Sequence, residues 1–174
     1  MPDDQQLPLH AIRAARLSDY AAITALRQGL AQQGHRERPD AFRPQTLGTT
    51  EAKFPLWLNA ENHQVLVAEI ASDIAGYVTI WGGNAQDNDH MFPTESLFIG
   101  EIAVASAYRR RGVGRLLFAA VEAEGRKRRV ETIGLSVNAA NAEGRAFYES
   151  LGYTAQGEYR RKIMRKVVRI ENPQ

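Results

Sequence analysis

The segment that most restricts the fold runs from position 97 to 137. LFIGEIAV (97–104) is almost continuously apolar, as a strand covered on both faces would be. ETIGLSV (131–137) alternates Ile133, Leu135 and Val137, the period of a half-buried strand. Between them lies an amphipathic helix. Val113, Leu116, Leu117, Ala120 and Val121 fall at i, i+3, i+4, i+7 and i+8, so one face is buried. Strand, helix, strand in that order is a parallel crossover unit. A chain that holds one is committed to a sheet with parallel strands at its centre.

The rest of the chain fits around this unit. AIRAARLSDYAAITALRQGL (11–30) reads as a short strand and a helix, with Ser18 as N-cap and Ile23 and Leu26 opening the buried stripe. Residues 34–50 read as a loop. EAKFPLWLNA (51–60) reads as a short helix weakened by Pro55. HQVLVAEIASDIAGYVTIW (63–81) reads as a hairpin turning at Ser72 and Asp73, followed by a polar loop over 82–96. After the crossover come a helix from Asn141 to about Ser150, closed by Gly152, and two strands near 153–156 and 162–168. The order β-α-α-β-β-β-α-β-α-β-β defines an α/β fold with a mixed sheet. The 174 residues fit a single domain, with residues 1–9 as a flexible lead-in.

Composition narrows the chemistry. There is no cysteine, which removes disulfides, thiolate metal sites and thiol nucleophiles, and fits a cytoplasmic protein. The four histidines (His10, His35, His63, His90) show no metal-ligand spacing, so they read as structural or surface residues and no metal is expected. No apolar run is long enough to span a membrane. The formal net charge is only +2, and the basic clusters at 109–111, 126–129 and 160–162 lack interleaved aromatics, so nucleic acid is not the expected partner. The 126–129 cluster closes a helix, where cations oppose the negative end of the dipole. The 109–111 cluster instead opens one, where cations are disfavoured unless an anion joins them.

That anion is the key to AYRRRGVGRLL (107–117). A helix N-terminus presents unpaired amides and a partial positive charge, and phosphate binds there readily. Gly112 and Gly114 would let a bulky diphosphate touch the backbone, while Arg109, Arg110 and Arg111 add charge-assisted donors. The dinucleotide fingerprint fails, because Leu117 stands where its third glycine belongs, and the Walker pattern fails as well.

The spacing Arg109-x-x-Gly112-x-Gly114 after a buried strand resembles the acyl-CoA loop of the GNAT superfamily of N-acetyltransferases. NAEGRAFYESLGY (141–153) is similar to that family's second motif, with an Asn opening a helix and a Tyr seven residues on, here Asn141 and Tyr148. The likeness covers roughly residues 60–168. One departure is Ser106-Ala107-Tyr108, where the family has a proline. The resemblance implies a central mixed sheet of six to seven strands, helices on both faces, and a splayed parallel strand pair forming an acyl-CoA cleft. It implies acetyl-CoA as co-substrate. The pantetheine arm would pair with the backbone of Ile102, Ala103 and Val104. The diphosphate would sit on Arg109, Arg110, Arg111, Gly112, Val113, Gly114 and Arg115. Asn141 would bond the arm, and Tyr148 would protonate or orient the departing thiol.

Glu101 is the sole charge in LFIGEIAV and must be paired or face a wet cleft, so it is a candidate base for the acceptor ammonium. A water is the alternative base, an ion pair with an arginine is the structural reading of Glu101, and Glu69 is a weaker candidate. Asp87, Asp89 and Glu95 would attract a cationic amine, or simply solvate their loop; Trp57 and Trp81 would line a pocket or pack in the core. The expected reaction is direct acetyl transfer in a ternary complex to a primary amine of a small molecule, since no cysteine is available for a covalent intermediate. Acetylation of protein or peptide N-termini or of lysines is the alternative within this class. A non-catalytic acyl-CoA sensor is the alternative outside it; it would need neither Tyr148 nor Glu101. A homodimer stays open.

Overall fold

The apolar runs become a seven-stranded sheet in the order β1-β2-β3-β4-β5-β7-β6. The computed structural model describes residues 11–44, 51–84, 95–139, 141–158 and 161–167. The strands are β1 (Ala11–Ala14), β2 (His63–Ile70), β3 (Asp73–Asn84), β4 (Glu95–Val104), β5 (Thr132–Asn138), β6 (Thr154–Glu158) and β7 (Arg161–Val167). The helices are α1 (Tyr20–Glu37), α2 (Phe54–Leu58), α3 (Val113–Lys127) and α4 (Ala142–Ser150). Only β4 and β5 run parallel, joined by α3 as the crossover; every other neighbouring pair is antiparallel.

Alternation splits the core in two. On one face Leu66, Val78, Ile80, Leu97, Ile99, Ile133, Leu135 and Val137 pack under Val113, Leu117, Phe118 and Val121 of α3, with Phe147, Tyr148 and Leu151 from the α4 segment at the margin. On the other face Val65, Val67, Tyr77 and Ala103 pack under Ile23 of α1 and Phe54 of α2. Helices therefore cover both faces, as the nearly continuous apolar run of β4 implies. Burying a side chain such as Leu117 or Ile133, each fully inaccessible, is worth about 1.5–3 kcal/mol.

Two irregularities position the site. The β4–β5 register stops at Ile99 opposite Leu135, although β4 continues to Val104 and β5 to Asn138. At that point β4 carries an extra residue: Ile80 pairs with Ile99 and Val78 with Ile102, so Gly100 and Glu101 together oppose Thr79. A bulge bends its strand and interrupts pairing, and the parallel pair opens there. The bulge also resets the alternation. Ile99, Ile102 and Val104 all face the α3 side, and Glu101 is turned toward α1.

Several boundaries differ from the sequence reading, each for a local reason. Helix α1 continues to Glu37, because Gly34 is a contact and not a stop. A Cβ there would lie 3.1 Å from the ring of Phe42. Ser18 lies inside a 3-10 turn (Leu17–Asp19), and the N-cap of α1 is Asp19. The Asp19 carboxylate is taken by Arg13 and by the Arg16 amide, and the Arg13 guanidinium holds it below the usual carboxylate range. The hairpin turns at Ala71 and Ser72, both left-handed (φ 48° and 74°) as a two-residue type I′ turn demands, and not at Ser72 and Asp73. The loop expected over 82–96 is shorter, since β3 reaches Asn84 and β4 starts at Glu95. The lead-in 1–9, His10, Asp87, Asp89, His90 and Arg160 lie outside the described residues.

Candidate active site

The loop between β4 and α3 gathers positive charge around open amides. Arg110 (φ 61°) and Gly112 (φ 84°) are both left-handed, and Gly112 is the N-cap of α3 without any side-chain cap. The first intrahelical bond runs from the Leu116 amide to the Gly112 carbonyl, 3.1 Å. The amides of Val113, Gly114 and Arg115 therefore leave the helix end without intrahelical acceptors. A Cβ at Gly112 would meet nothing within 4 Å, so its amide surface is open to an approaching group. Arg109, Arg110, Arg111 and Arg115 are exposed around it. Among the described residues, the acid paired with them is Glu143, 3.4 Å from Arg110 and itself exposed. Arg109 donates to the Val104 carbonyl (3.2 Å), and Arg115 to Ser150 Oγ (3.2 Å). Arg111 lies over the Tyr108 ring, 5.6 Å to its centroid, and Tyr108 donates to Asp73 Oδ2 at 2.9 Å. Cations and a helix N-terminus repel one another unless an anion joins them. The fit to a diphosphate thus rests on open amides, an open glycine and a guanidinium ring.

The two glycines differ, which corrects the sequence reading. Gly112 has the open approach expected of it. Gly114 does not, for a Cβ there would lie 3.1 Å from Phe147 Cζ, so its missing side chain makes room for α4. Val113 is likewise a core side chain, 1% exposed, with only its amide at the helix mouth. Ala103 is buried on the α1 side, and Ile102 and Val104 pack on the α3 side. These three residues of β4 lie beyond the last β5 partner, with their main chain along the opening.

Tyr148 is half-buried on α4, its ring 5.5 Å from Phe118 and 5.7 Å from Phe147. Its hydroxyl has no hydrogen-bond partner among the described residues, and burial pushes the phenol above its ordinary pKa. The hydroxyl therefore stays protonated at neutral pH. Asn141 caps α4, its Oδ1 accepting from the Gly144 amide at 2.8 Å.

Glu101 sits on the opposite face from Tyr148, and it is paired. Arg27 Nε donates to its Oε2 (2.9 Å), Arg27 Nη2 to its Oε1 (3.0 Å), and the Tyr77 hydroxyl to Oε2 (2.9 Å). Its own amide donates to Thr79 Oγ1, 2.8 Å. A carboxylate has about four acceptor positions; these donors leave one, on Oε1. Tyr77 is fully buried, and burial, with the adjacent carboxylate, keeps its phenol protonated. Glu69, by contrast, is bound to Arg13 on β1 and β2, far along the sheet from the opening.

Arg27 and Tyr77 were missed by sequence reasoning. Arg27 had a signal: it stands four residues after Ile23, on the stripe that buries Ile23 and Leu30, and a cation there needs a partner. Tyr77 had none, being one more aromatic in a strand. The site therefore has two halves. The cationic helix mouth and Tyr148 lie on the α3 side, Glu101 lies on the α1 side, and β4 and β5 part between them. Among the described residues no group of three or more acidic, histidine or cysteine side chains is placed to hold a metal, and no helix is long and apolar enough to cross a membrane.

Known proteins share this fold. The model of the acetyltransferase (GNAT) family matches residues 27–153. No curated protein matches the chain by sequence. Among solved structures, a mutant of the BH1408 protein from Bacillus halodurans is 28% identical, with a TM-score of 0.81, covering 86% of this chain and 96% of its own. The ribosomal-protein-alanine N-acetyltransferase from Brucella melitensis is 25% identical, with a TM-score of 0.69, covering 90% of this chain and 99% of its own. The PaiA N-acetyltransferase from Thermoplasma acidophilum, solved in complex with coenzyme A, shares the fold at 14% identity and a TM-score of 0.69, covering 91% of this chain and 99% of its own. With a family match over most of its length and an opened parallel strand pair beside a cationic helix mouth, the chain belongs to the acetyltransferase (GNAT) family and is an acetyl-CoA-dependent N-acetyltransferase.

Proposed function

We propose that this enzyme transfers acetyl directly from acetyl-CoA to a primary amine of a small molecule, through the opening between β4 and β5. One observation carries the reading: the parted strands lie between open helix-start amides ringed by arginines on one face and the Glu101 carboxylate on the other. On the α3 side the amides of 113–115 and Arg109–Arg111 would hold the diphosphate, with charge-assisted bonds from the guanidinium groups. The backbone of Ile102, Ala103 and Val104 would pair with the pantetheine arm as an added strand does. Arg109 would exchange its bond to the Val104 carbonyl for a phosphate oxygen. Asn141, already the cap of α4, would turn its amide toward the arm.

The amine would enter from the α1 side. An acceptor with a pKa near ~10 is almost wholly ammonium at neutral pH, so a proton must leave before attack. The remaining acceptor position on Glu101 Oε1 would take it, directly or through a water. Arg27 and Tyr77 fix the carboxylate's direction and occupy its other positions, so Glu101 is held in one orientation. A β4 amide beside the bulge would polarise the thioester carbonyl. As the thiolate leaves, Tyr148 would give up its proton to sulfur and regain one from the nitrogen, which sheds its second proton as the amide forms. General acid–base help of this kind is worth about 10²–10⁴-fold. The sequence contains no cysteine to carry the acetyl group, so transfer runs through a ternary complex.

A peptide or protein N-terminus is the second reading, favoured by the likeness to the Brucella ribosomal-protein-alanine N-acetyltransferase. The deciding experiment is thiol release from acetyl-CoA with a panel of small primary amines and of peptides. Turnover with free amines, well above that with any peptide, is expected. Tight acetyl-CoA binding without turnover of any acceptor would instead make the protein a sensor.

A further inference from the structure

The α1 face next to Glu101 carries a feature that neither the helix mouth nor the acid–base groups account for. Trp81 and Phe98 are directly opposite one another across β3 and β4. They are 41% and 39% exposed. The other exposed large apolar side chains among the described residues, Leu17, Leu56 and Leu116, belong to helical segments elsewhere. Single exposed apolar groups need no explanation, but adjoining aromatics at the edge of a site do.

The exposed indole is held in place. It lies 4.0 Å from the His63 ring, centroid to centroid, and His63 in turn lies 5.0 Å from Trp57. His63 Nδ1 donates to the Trp57 carbonyl at 2.7 Å, which leaves Nε2 as an acceptor, buried and without a partner. Burial holds this imidazole neutral. Trp81 also reaches the bulge, since a Cβ at Gly100 would lie 2.6 Å from its Nε1 and 2.8 Å from Thr79 Oγ1. Glycine at position 100 thus admits the indole beside the first unpaired step of β4. Phe98 stands on the other side of Ile99, the last residue paired to β5. An aromatic wall, backed by a fixed imidazole, borders the point where the strands part.

We propose that this wall selects the acceptor: the amine carries an aromatic group that stacks on Trp81 and Phe98 while its nitrogen reaches the opening beside Glu101. This rests on the reading of the enzyme as a small-molecule amine acetyltransferase and names the class of amine. An indole braced by His63, with an exposed phenyl opposite it across the strands, offers flat apolar area at little cost in ordering. The neighbouring carboxylate has one acceptor position open for the ammonium. A polar aliphatic amine would leave both rings unused.

The test compares phenethylamine and tryptamine with butylamine, ethanolamine and spermidine, using acetyl-CoA as donor. The aromatic amines are expected to show kcat/KM values at least ~10-fold above the aliphatic ones, from stacking together with burial of the ring. In Trp81→Leu and Phe98→Leu, which keep an apolar side chain but remove the ring, the ratio of aromatic to aliphatic kcat/KM should fall toward one. Trp81→Phe should restore most of it. A separate readout is indole fluorescence in Trp57→Phe, where the one remaining indole, Trp81, should respond to phenethylamine and not to butylamine. Equal kcat/KM across the amines, or an unchanged ratio in both leucine variants, overturns the inference while leaving the amine acetyltransferase intact. A peptide N-terminus outrunning every free amine also overturns it. Absence of turnover with any acceptor defeats the underlying reading instead.

Discussion

At the scale of single residues, the candidate site separates groups by what their neighbours leave free. Tyr148 has aromatic neighbours and an unpartnered hydroxyl, so its oxygen contributes little to folding. Tyr148→Phe should change stability by no more than ~0.5 kcal/mol yet lower kcat by about 10²-fold, with acetyl-CoA affinity nearly unchanged; an unaltered kcat would reduce the tyrosine to packing. His63 gives a pH signature. Its folded pKa lies below the ordinary 6.5 because of burial. As pH falls, the unfolded chain binds the proton first, so this contribution to stability is whole above about 6.5 and is lost as pH drops toward the folded value. Urea unfolding at pH 7.5 and 5.5 should show a smaller loss in His63→Gln than in the parent protein. Legibility at this scale was uneven. Gly112 and Asn141 stood out in the sequence because backbone conformation and helix-start chemistry leave marks on residue type, whereas Tyr148 stood out only through the resemblance of 141–153 to a family motif. The partners of Glu101 did not, since the pairing spans 74 positions between Arg27 and Glu101 and depends on how α1 crosses the sheet.

At the scale of elements, α3 and α4 meet through a glycine and a phenyl ring. Gly114→Ala would bring a Cβ to 3.1 Å from Phe147 Cζ. The added methyl gains helix propensity of up to ~1 kcal/mol, but overpacking costs about 1–3 kcal/mol. The variant should be less stable by roughly 1 kcal/mol in urea unfolding, and adding Phe147→Leu should recover part of that loss. The corresponding residue in the opposite case is Gly112, where the penalty is conformational, since φ is +84°. The elements themselves were legible because alternation and helical periodicity survive in strands and helices that bury one face. Their ends were less so. Position 34 begins the stretch that reads as a loop in sequence, and only the nearby Phe42 ring explains the place of Gly34 inside α1. The two-residue turn at Ala71 and Ser72 carries no glycine to betray its left-handed backbone.

At the scale of the whole molecule, two cores are separated by one sheet, and the bound donor would bridge α3, α4 and β4. Binding to the folded state alone adds stability. Saturation with acetyl-CoA at a hundredfold above Kd contributes about 2.7 kcal/mol, which should raise the melting midpoint by roughly 5–10 °C for a chain of this size. Gly112→Asp should abolish that rise, because a carboxylate would occupy the open approach and repel phosphate; a full shift in this variant would refute the helix mouth as the donor's anchor. The architecture was legible because a buried strand, a helix and a second strand leave few alternatives. The bulge was not, since LFIGEIAV reads as an uninterrupted strand.

That extra residue has an evolutionary consequence. Without Gly100, β4 would fall back into phase: Ile99 and Ile102 would keep their α3-side packing, Glu101 would alone oppose Thr79, and hydrogen bonding to β5 could zip onward past Leu135. The shortened chain would keep the apolar alternation of both faces, yet its slot would close. A single codon would then separate a sheet that parts from one that does not.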